Sequence, residues 1–142
     1  MSHLHWLAWA LLSAFFAGLT AVFAKVGVAE VNSHLATAIR TTFILGITWL
    51  IAAFAMKSGD LAAITRRTWI FLAFSAGATG LSWLCYFRAL QLGEVSKVAP
   101  IDKLSVVVAI VLSLFFLGEK MGGRESIGAG LIIAGALLLA WR

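Results

Sequence analysis

The chain has 142 residues, of which 62% are hydrophobic and only 12% are charged. A soluble domain of this size has about a quarter of its residues charged, so the composition excludes an ordinary polar surface and predicts a membrane protein. The formal net charge is +5, but the Lys and Arg residues are spread among the predicted helix ends. This distribution argues against a nucleic-acid partner, which would require a basic patch.

Motifs for catalysis or metal binding are absent from the sequence. Cys85 is the one cysteine and lies in an apolar run, so an intrachain disulfide is impossible. No Cys/His group has the spacing of a zinc site. The patterns GxSxG, HExxH and GxxxxGK do not occur either. The sequence therefore predicts no enzyme, no metal and no cofactor.

The first predicted span covers residues 6–24, close to the ~20 residues that cross a bilayer. A cleaved signal peptide is the alternative interpretation, because small residues suitable for cleavage are present. That alternative is weakened because residues 1–5 lack Lys and Arg, and because the run is longer than an ordinary signal core.

The second predicted span covers residues 34–56 and contains one charge, Arg40, about two helical turns from His34. Two interpretations of Arg40 are open. Its guanidinium can extend back to the lipid headgroups, or it can hold an anionic group or an internal partner such as Asp102.

The third predicted span covers residues 68–87 and carries no charge. Hydroxyl-bearing residues occur at spacings of four, three and four, so their side chains share one helix face: Ser75, Thr79, Ser82 and Tyr86. Such hydroxyls often bond back to their own helix carbonyls. Alternatively this face, together with Trp83, forms one wall of a polar cavity.

The fourth predicted span covers residues 97–118. If Ser96 is the N-cap, Pro100 falls within the first turn, where backbone N–H groups lack partners, and the helix continues without a kink. Asp102 and Lys103 then lie only ~9 Å inside the helix, at the edge of the bilayer or in a water-filled vestibule. Asp102 shares a face with Ser105 and is the stronger functional candidate, whereas Lys103 points off that face and suits snorkelling.

The fifth predicted span covers residues 126–141 and has few polar groups, which indicates a packing helix rather than a substrate site. Together the five spans predict an all-α integral membrane protein with a single domain over residues 1–142.

Three parts of the chain resemble the end of the five-helix repeat of EamA-type transporters in the drug/metabolite transporter superfamily. They are Ala99 and Pro100 with polar residues behind them, LGE at residues 117–119, and IGAGLIIAGALLL at residues 127–139. The resemblance extends helix for helix over essentially the whole chain. It implies one half of a ten-helix inverted-repeat protein that exports amino acids and other small metabolites.

The resemblance also implies a site and an assembly. The first four helices are expected to surround a central cavity, or the cavity lies between two copies of the chain. From the residues themselves, the candidate lining residues are Arg40, Thr79, Trp83, Tyr86 and Asp102, with Lys103 assigned more loosely. Arg40 would attract anionic groups, and Asp102 would bind a cationic group or a proton. Expected partners are the lipid bilayer, a small-molecule substrate and a second copy of the chain, in a parallel or an antiparallel dimer. The expected location is a bacterial or archaeal plasma membrane.

Two alternatives stay open. Small multidrug exporters of the same superfamily use a carboxylate in their first helix, but residues 6–24 contain no acid and Glu30 lies beyond Lys25. That cation-exchange mechanism therefore does not transfer unchanged. The second alternative is an accessory or structural membrane subunit that requires a different partner chain.

Overall fold

The computed structural model describes residues 3–57 and 59–141, and this part of the chain contains helices and loops but no strand. Its helical segments are α1 His3–Gly27, α2 Ser33–Ala55, α3 Arg66–Leu92, α4 Val95–Asp102, α5 Ser105–Leu112, the π-helical segment Ser113–Leu117 and α6 Gly123–Ala140. Five stretches are long and apolar enough to cross a membrane, and the fourth combines α4, α5 and the π-helical segment. These findings confirm the predicted all-α membrane class and its five spans.

The described residues form two compact units. The central unit is Ala24–Gln91, which holds the end of α1, all of α2 and nearly all of α3. The terminal unit is built from the described parts of Met1–Phe23 and Leu92–Arg142.

The core of the central unit lies where three helix ends meet. Its buried residues come from the end of α1, the start of α2 and the end of α3: Ala24, Val28, Ser33, Thr37, Phe87 and Leu90. Elsewhere in this unit large apolar side chains point outward, as at Phe54, which is 87% exposed. Apolar surface of this extent requires a bilayer or another protein to cover it.

Hydrogen bonds to backbone carbonyls hold this core together. The side-chain amide nitrogen of Gln91 donates to the carbonyl oxygens of Val28, at 2.9 Å, and Val31, at 2.6 Å. The ammonium of Lys25 donates to the carbonyl oxygen of Leu90. The Leu90 carbonyl lies in the last turn of α3, where carbonyls lack intrahelical donors, and the carbonyls of Val28 and Val31 lie in the connection that follows α1. The two side chains thus supply donors to carbonyls outside the regular helical bonding.

In the terminal unit, α4 and α5 both pack against α6. The less exposed residues of α6 lie on one helical face: Gly128, Ala129, Ile133 and Ala136. Their small side chains, Ile133 apart, permit close approach of neighbouring helices, as is usual for helix contacts in membranes. This arrangement agrees with the interpretation of the last span as a packing helix.

The predicted fourth span is confirmed as one helical span, Val95–Leu117, but the expectation that Pro100 lies in its first turn and that the α-helix continues unchanged was wrong. The N-cap is Glu94 rather than Ser96, so Pro100 lies beyond the first turn of α4. Proline has no N–H for the Ser96 carbonyl, and its ring crowds the preceding turn. The helix ends at Asp102.

A short tightened turn connects α4 to α5. The N–H groups of Lys103 and Leu104 donate to carbonyls three residues back, those of Pro100, at 3.1 Å, and Ile101, at 3.0 Å. This is the hydrogen-bonding pattern of a 3₁₀ turn, which is tighter than an α-helix. The fourth span therefore changes its helical geometry at the two charged residues that the sequence singled out.

The same span widens into a π-helix before it ends. Gly118 terminates the π-helical segment in the left-handed region, with φ of 65°. A residue with a Cβ atom is strained there, which explains a glycine at this position. The N–H of Glu119 then donates to the carbonyl of Ser113 at 3.3 Å. Such single π-helical turns occur frequently at functional sites.

Candidate functional site

The side chain of Arg40 crosses from α2 to an aromatic face of α3. Its guanidinium carbon lies 4.3 Å from the ring centroid of Trp83 and 5.5 Å from that of Phe87. Trp83 and Phe87 are four residues apart and therefore share a helix face. Tyr86, three residues after Trp83, lies near Arg40 as well. Three of the predicted site residues, Arg40, Trp83 and Tyr86, are thus brought together.

Arg40 is half-buried and lies seven residues after Ser33, ~10 Å from the start of α2. Within residues 3–57 and 59–141, no carboxylate forms an ion pair with it. Aromatic rings stabilise a cation through their π-electrons but offer no strong hydrogen-bond acceptor. The five N–H donors of a guanidinium match a carboxylate or phosphate bidentately. The arrangement can therefore hold an anionic group.

Thr79 makes the local hydrogen bond that one interpretation of its helix face anticipated. Its hydroxyl donates to the carbonyl of Ser75 at 2.9 Å, within α3. Thr79 and Ser75 are both exposed, whereas Tyr86 is half-buried. A role for Thr79 in lining a cavity stays a prediction.

Asp102 and Lys103 form an ion pair with each other in the terminal unit, with the carboxylate Oδ2 3.3 Å from Nζ. The Lys103 side chain is 62% exposed and that of Asp102 34% exposed. Such a pair between sequence neighbours contributes little to stability. The carboxylate keeps open acceptor positions for another cation or a proton, and its role in binding also stays a prediction.

Two features of the central unit were missed by sequence reasoning. Phe87 provides the second ring beside Arg40, and its position four residues after Trp83 could have indicated this. A polar cleft of about 470 Å³ also opens at the start of α2, lined by Asn32, Ser33, His34, Arg88 and Gln91. The signal for the cleft was an N-cap residue before an apolar run.

Comparison with known proteins places the chain in a wider group. A model of the EamA-like transporter family matches residues 4–141. A protein from Sinorhizobium sp., described as an uncharacterized transporter in the cobO 3′ region, is 55% identical over 135 residues, which are 95% of this chain and 96% of that protein. No solved structure matches the chain.

Two more distant relatives differ from each other in length. A Bacillus subtilis (strain 168) protein, described as the uncharacterized transporter YxxF, is 30% identical over 132 residues, covering 92% of this chain but 40% of that protein. The Methanocaldococcus jannaschii uncharacterized protein MJ1333.1 is 29% identical over 130 residues, covering 92% of both chains.

Five helices in the described part of the chain are long and apolar enough to cross a membrane, and they define a polytopic membrane protein. Because the family match extends over nearly all of its length, the chain belongs to the EamA-like transporter family. Membership of the drug/metabolite transporter superfamily follows, and these matches indicate a transporter rather than an enzyme.

Proposed function

We propose that this transporter exports small metabolites that carry a carboxylate group, such as amino acids or related solutes. The observation that supports this proposal is the Arg40 guanidinium stacked on Trp83 and Phe87. Arg40 anchors the carboxylate, and the aromatic side chains of Trp83 and Tyr86 shape the space beside it.

The energetics of a half-buried cation within a membrane span favour this assignment. An arginine within a membrane span is costly unless it meets protein, water or a counter-charge. The two rings offset part of that cost, by about 2 kcal/mol when the contact is desolvated. A substrate carboxylate supplies the counter-charge that no described residue provides, and it leaves when the site opens. Permanent pairing with a protein carboxylate would instead block the site.

We further propose that the working unit contains two copies of the chain and operates by alternating access. The Bacillus subtilis relative supports this arrangement, because a match to 40% of its length leaves room for a second segment of the same size. The Sinorhizobium and Methanocaldococcus relatives have about the length of this chain. In many transporters two inverted halves hold the substrate at their mutual interface, and a homodimer can reproduce that plan in a bacterial or archaeal plasma membrane.

In this scheme Asp102 is the coupling residue. Its carboxylate is half-exposed at the break between α4 and α5, and it binds a proton or a cationic group of the substrate. Thr79 and Lys103 provide further polar lining. The different helical geometries of the fourth span make it the element that changes conformation most readily.

Proteoliposomes that contain only this chain test the proposal. Vesicles are loaded with a radiolabelled amino-acid mixture, and efflux is followed for the wild type and for Arg40→Gln. The matched control is Arg66→Gln, which removes an exposed arginine at the start of α3. We expect efflux by the wild type and the control, and loss of efflux in Arg40→Gln.

Other outcomes contradict the proposal in distinct ways. Absence of flux for every carboxylate solute, with the chain correctly inserted, would favour an accessory subunit that needs a different partner chain. Flux of an organic cation such as tetraphenylphosphonium, independent of Arg40, would favour the cation-exporter alternative.

A further inference from the structure

The polar cleft in the central unit lies outside the Arg40 site. It has a volume of about 470 Å³, and none of its lining residues belongs to the aromatic stack on Arg40. This volume falls within the ~300–1,000 Å³ of ordinary ligand pockets. Its walls are the first residues of α2 and the last turns of α3. We call it the interfacial cleft, because these are the ends of two membrane spans, where lipid meets water.

Several polar groups of the interfacial cleft are held in place by the protein. The side-chain oxygen of Asn32 accepts hydrogen bonds from the backbone N–H groups of His34, at 2.9 Å, and Leu35, at 3.4 Å. The side-chain oxygen of Gln91 accepts one from the guanidinium of Arg88 at 3.0 Å, while its amide nitrogen is fixed on the α1–α2 connection. Arg88 is therefore oriented, and it keeps further N–H donors.

Ser33 is the unusual member of the cleft. Its residue surface is only 5% exposed, and its hydroxyl makes no hydrogen bond to any described residue. No fully enclosed side-chain oxygen or nitrogen among residues 3–57 and 59–141 lacks a partner, so solvent reaches this hydroxyl, and Ser33 lines the cleft. The hydroxyl is therefore available to donate a hydrogen bond to a ligand in the cleft.

The charge distribution around Ser33 selects an anion. α2 is 23 residues long and begins at Ser33, so the partial positive charge of its N-terminus lies at the cleft. Arg88 adds a full positive charge, and His34 adds a ring nitrogen donor. Glu30 in the α1–α2 connection is the nearest acid in sequence, and it forms no ion pair with Arg88. The backbone N–H groups of His34 and Leu35 are already bonded to Asn32, so the attraction for an anion comes from the helix dipole and from the side chains.

The position of the cleft relative to the membrane further limits the class of ligand that it can bind. The start of α2 and the end of α3 are both ends of membrane spans, so the cleft lies at the level of the lipid headgroups. Phosphate groups are concentrated there, and each offers several acceptor oxygens to separate donors. A carboxylate has only two oxygens and so offers fewer acceptors than a phosphate to three separate donors.

We propose that the interfacial cleft binds a phosphate group, with Ser33, His34 and Arg88 as its hydrogen-bond donors. The phosphate comes from a phospholipid headgroup or from a soluble phosphate compound. The site is separate from the Arg40 site, so it stands whether or not the chain exports carboxylates.

Thermal unfolding of the purified full chain in detergent tests this site, with three probes added in turn. Dioleoylphosphatidylglycerol carries the phosphate and the acyl chains, dioleoylglycerol carries the acyl chains alone, and inorganic phosphate carries neither chain. We expect the phospholipid to raise Tm saturably and dioleoylglycerol to leave it unchanged, because a ligand stabilises the state that it binds. If inorganic phosphate gives the same saturable shift, the source is soluble phosphate; if it gives none, the source is lipid.

Single variants connect the response to the cleft. Ser33→Ala and Arg88→Gln should each weaken the apparent affinity by about ten-fold, the loss expected for a hydrogen bond to a charged group. Arg66→Gln, which removes an exposed arginine at the other end of α3, should keep the wild-type affinity. Ser33→Ala removes an unpaired hydroxyl and should not lower Tm without ligand, so its fold is not in question. Equal affinity in Ser33→Ala and the wild type, or equal shifts with dioleoylglycerol and the phospholipid, would overturn the proposal.

Discussion

At the scale of single residues, the position of the Arg40 guanidinium decides how this side chain acts. It lies over α3 rings at 4.3 and 5.5 Å, a geometry in which its planar shape matters as well as its charge. Lysine keeps the charge but is a compact point charge without the planar fork. The distinction between a bidentate anchor and a snorkelling cation can therefore be made by a conservative exchange.

We expect Arg40→Lys to raise KM for a carboxylate substrate by about ten-fold or more, since one charge-assisted hydrogen bond is lost. The control is Arg67→Lys, because Arg67 also lies over an aromatic ring, that of Phe71 at 5.8 Å, but at the start of α3. Concentration-dependent counterflow in proteoliposomes measures both. The same KM in Arg40→Lys and the wild type would decide for snorkelling.

Substitutions of Trp83 and Phe87 should affect different properties, the first mainly substrate affinity and the second mainly stability. Phe87 is 3% exposed and belongs to the core, so Phe87→Leu is expected to lower Tm, as large-to-small core substitutions do. Trp83 is less buried and its ring lies closer to Arg40, so Trp83→Leu should raise KM while changing Tm less. Parallel Tm and counterflow measurements check this division. The reverse order of the two effects would show that Trp83 is mainly structural.

At the scale of helices, Gln91 connects the end of α3 to the residues that follow α1. Replacing it by Leu leaves the carbonyls of Val28 and Val31 without this donor. Each lost hydrogen bond should cost about 1 kcal/mol of the free energy of unfolding. Thr42→Ala is the control, because its hydroxyl bonds only within α2, to Ala38. Denaturant unfolding followed by tryptophan fluorescence should show a larger loss for Gln91→Leu; equal losses would mean that this connection is not stabilising.

The break in the fourth span gives Asp102 a testable role in coupling. Asp102→Asn retains the shape and removes the charge, along with the ion pair to Lys103 at 3.3 Å. We expect reduced flux or an altered pH dependence of flux, with expression and oligomer size unchanged. Lys103→Gln breaks the same ion pair and serves as the control, since a structural effect of the pair would appear in both variants. Normal flux with an unchanged pH profile in Asp102→Asn would exclude Asp102 from the transport site.

Some helices could be predicted from composition alone, whereas the position of a helix end depends on local hydrogen bonds. Apolar runs of bilayer length require only composition, so the five spans could be predicted from the sequence. α3 continues to Leu92 although its uncharged run ends at Phe87, because Arg88 and Gln91 find hydrogen-bond partners at that end. A charge marks the limit of a run in lipid but does not end a helix.

The break after Asp102 and the partner of Arg40 were harder to predict. Pro100 fits either a first turn or a helix interior, and the position of the cap decides between them. The sequence placed that cap two residues too late. The face of α3 that contacts Arg40 depends on how α2 and α3 pack together, and the spacing of residues along one helix does not reveal this. Trp83 was therefore predicted from the polar face of α3 alone, and Phe87 was not predicted.

At the scale of the whole molecule, we propose that each of the five candidate spans crosses the membrane once, so that residues 3 and 141 lie on opposite sides. A second copy that forms the missing half of an inverted repeat must therefore insert in the opposite orientation. Orientation normally follows the excess of Lys and Arg in cytoplasmic loops. A chain that adopts both orientations needs a near balance of these residues.

The loops satisfy this requirement. With each span crossing once, the basic residues on the side of the N-terminus are Lys57, Arg66, Arg67, Lys120 and Arg124. On the opposite side they are Lys25, Arg88, Lys97 and Arg142, the last of which lies outside the described residues. Five against four is close to balance. Adding the membrane-level Arg40 and Lys103 to the second group gives five against six, so neither count fixes one orientation.

We therefore predict an antiparallel homodimer whose copies insert in both orientations. The measurement is side-specific labelling of a cysteine added after Arg142, in a chain whose exposed native Cys85 is replaced by serine. About half of the added cysteines should react with an impermeant maleimide applied from outside, and the rest only after permeabilisation. As a matched control, Arg66→Gln with Arg67→Gln reduces the first count from five to three, which should shift the ratio measurably toward one orientation. Labelling of every C-terminus from one side of the native membrane would contradict the antiparallel arrangement and leave a parallel dimer.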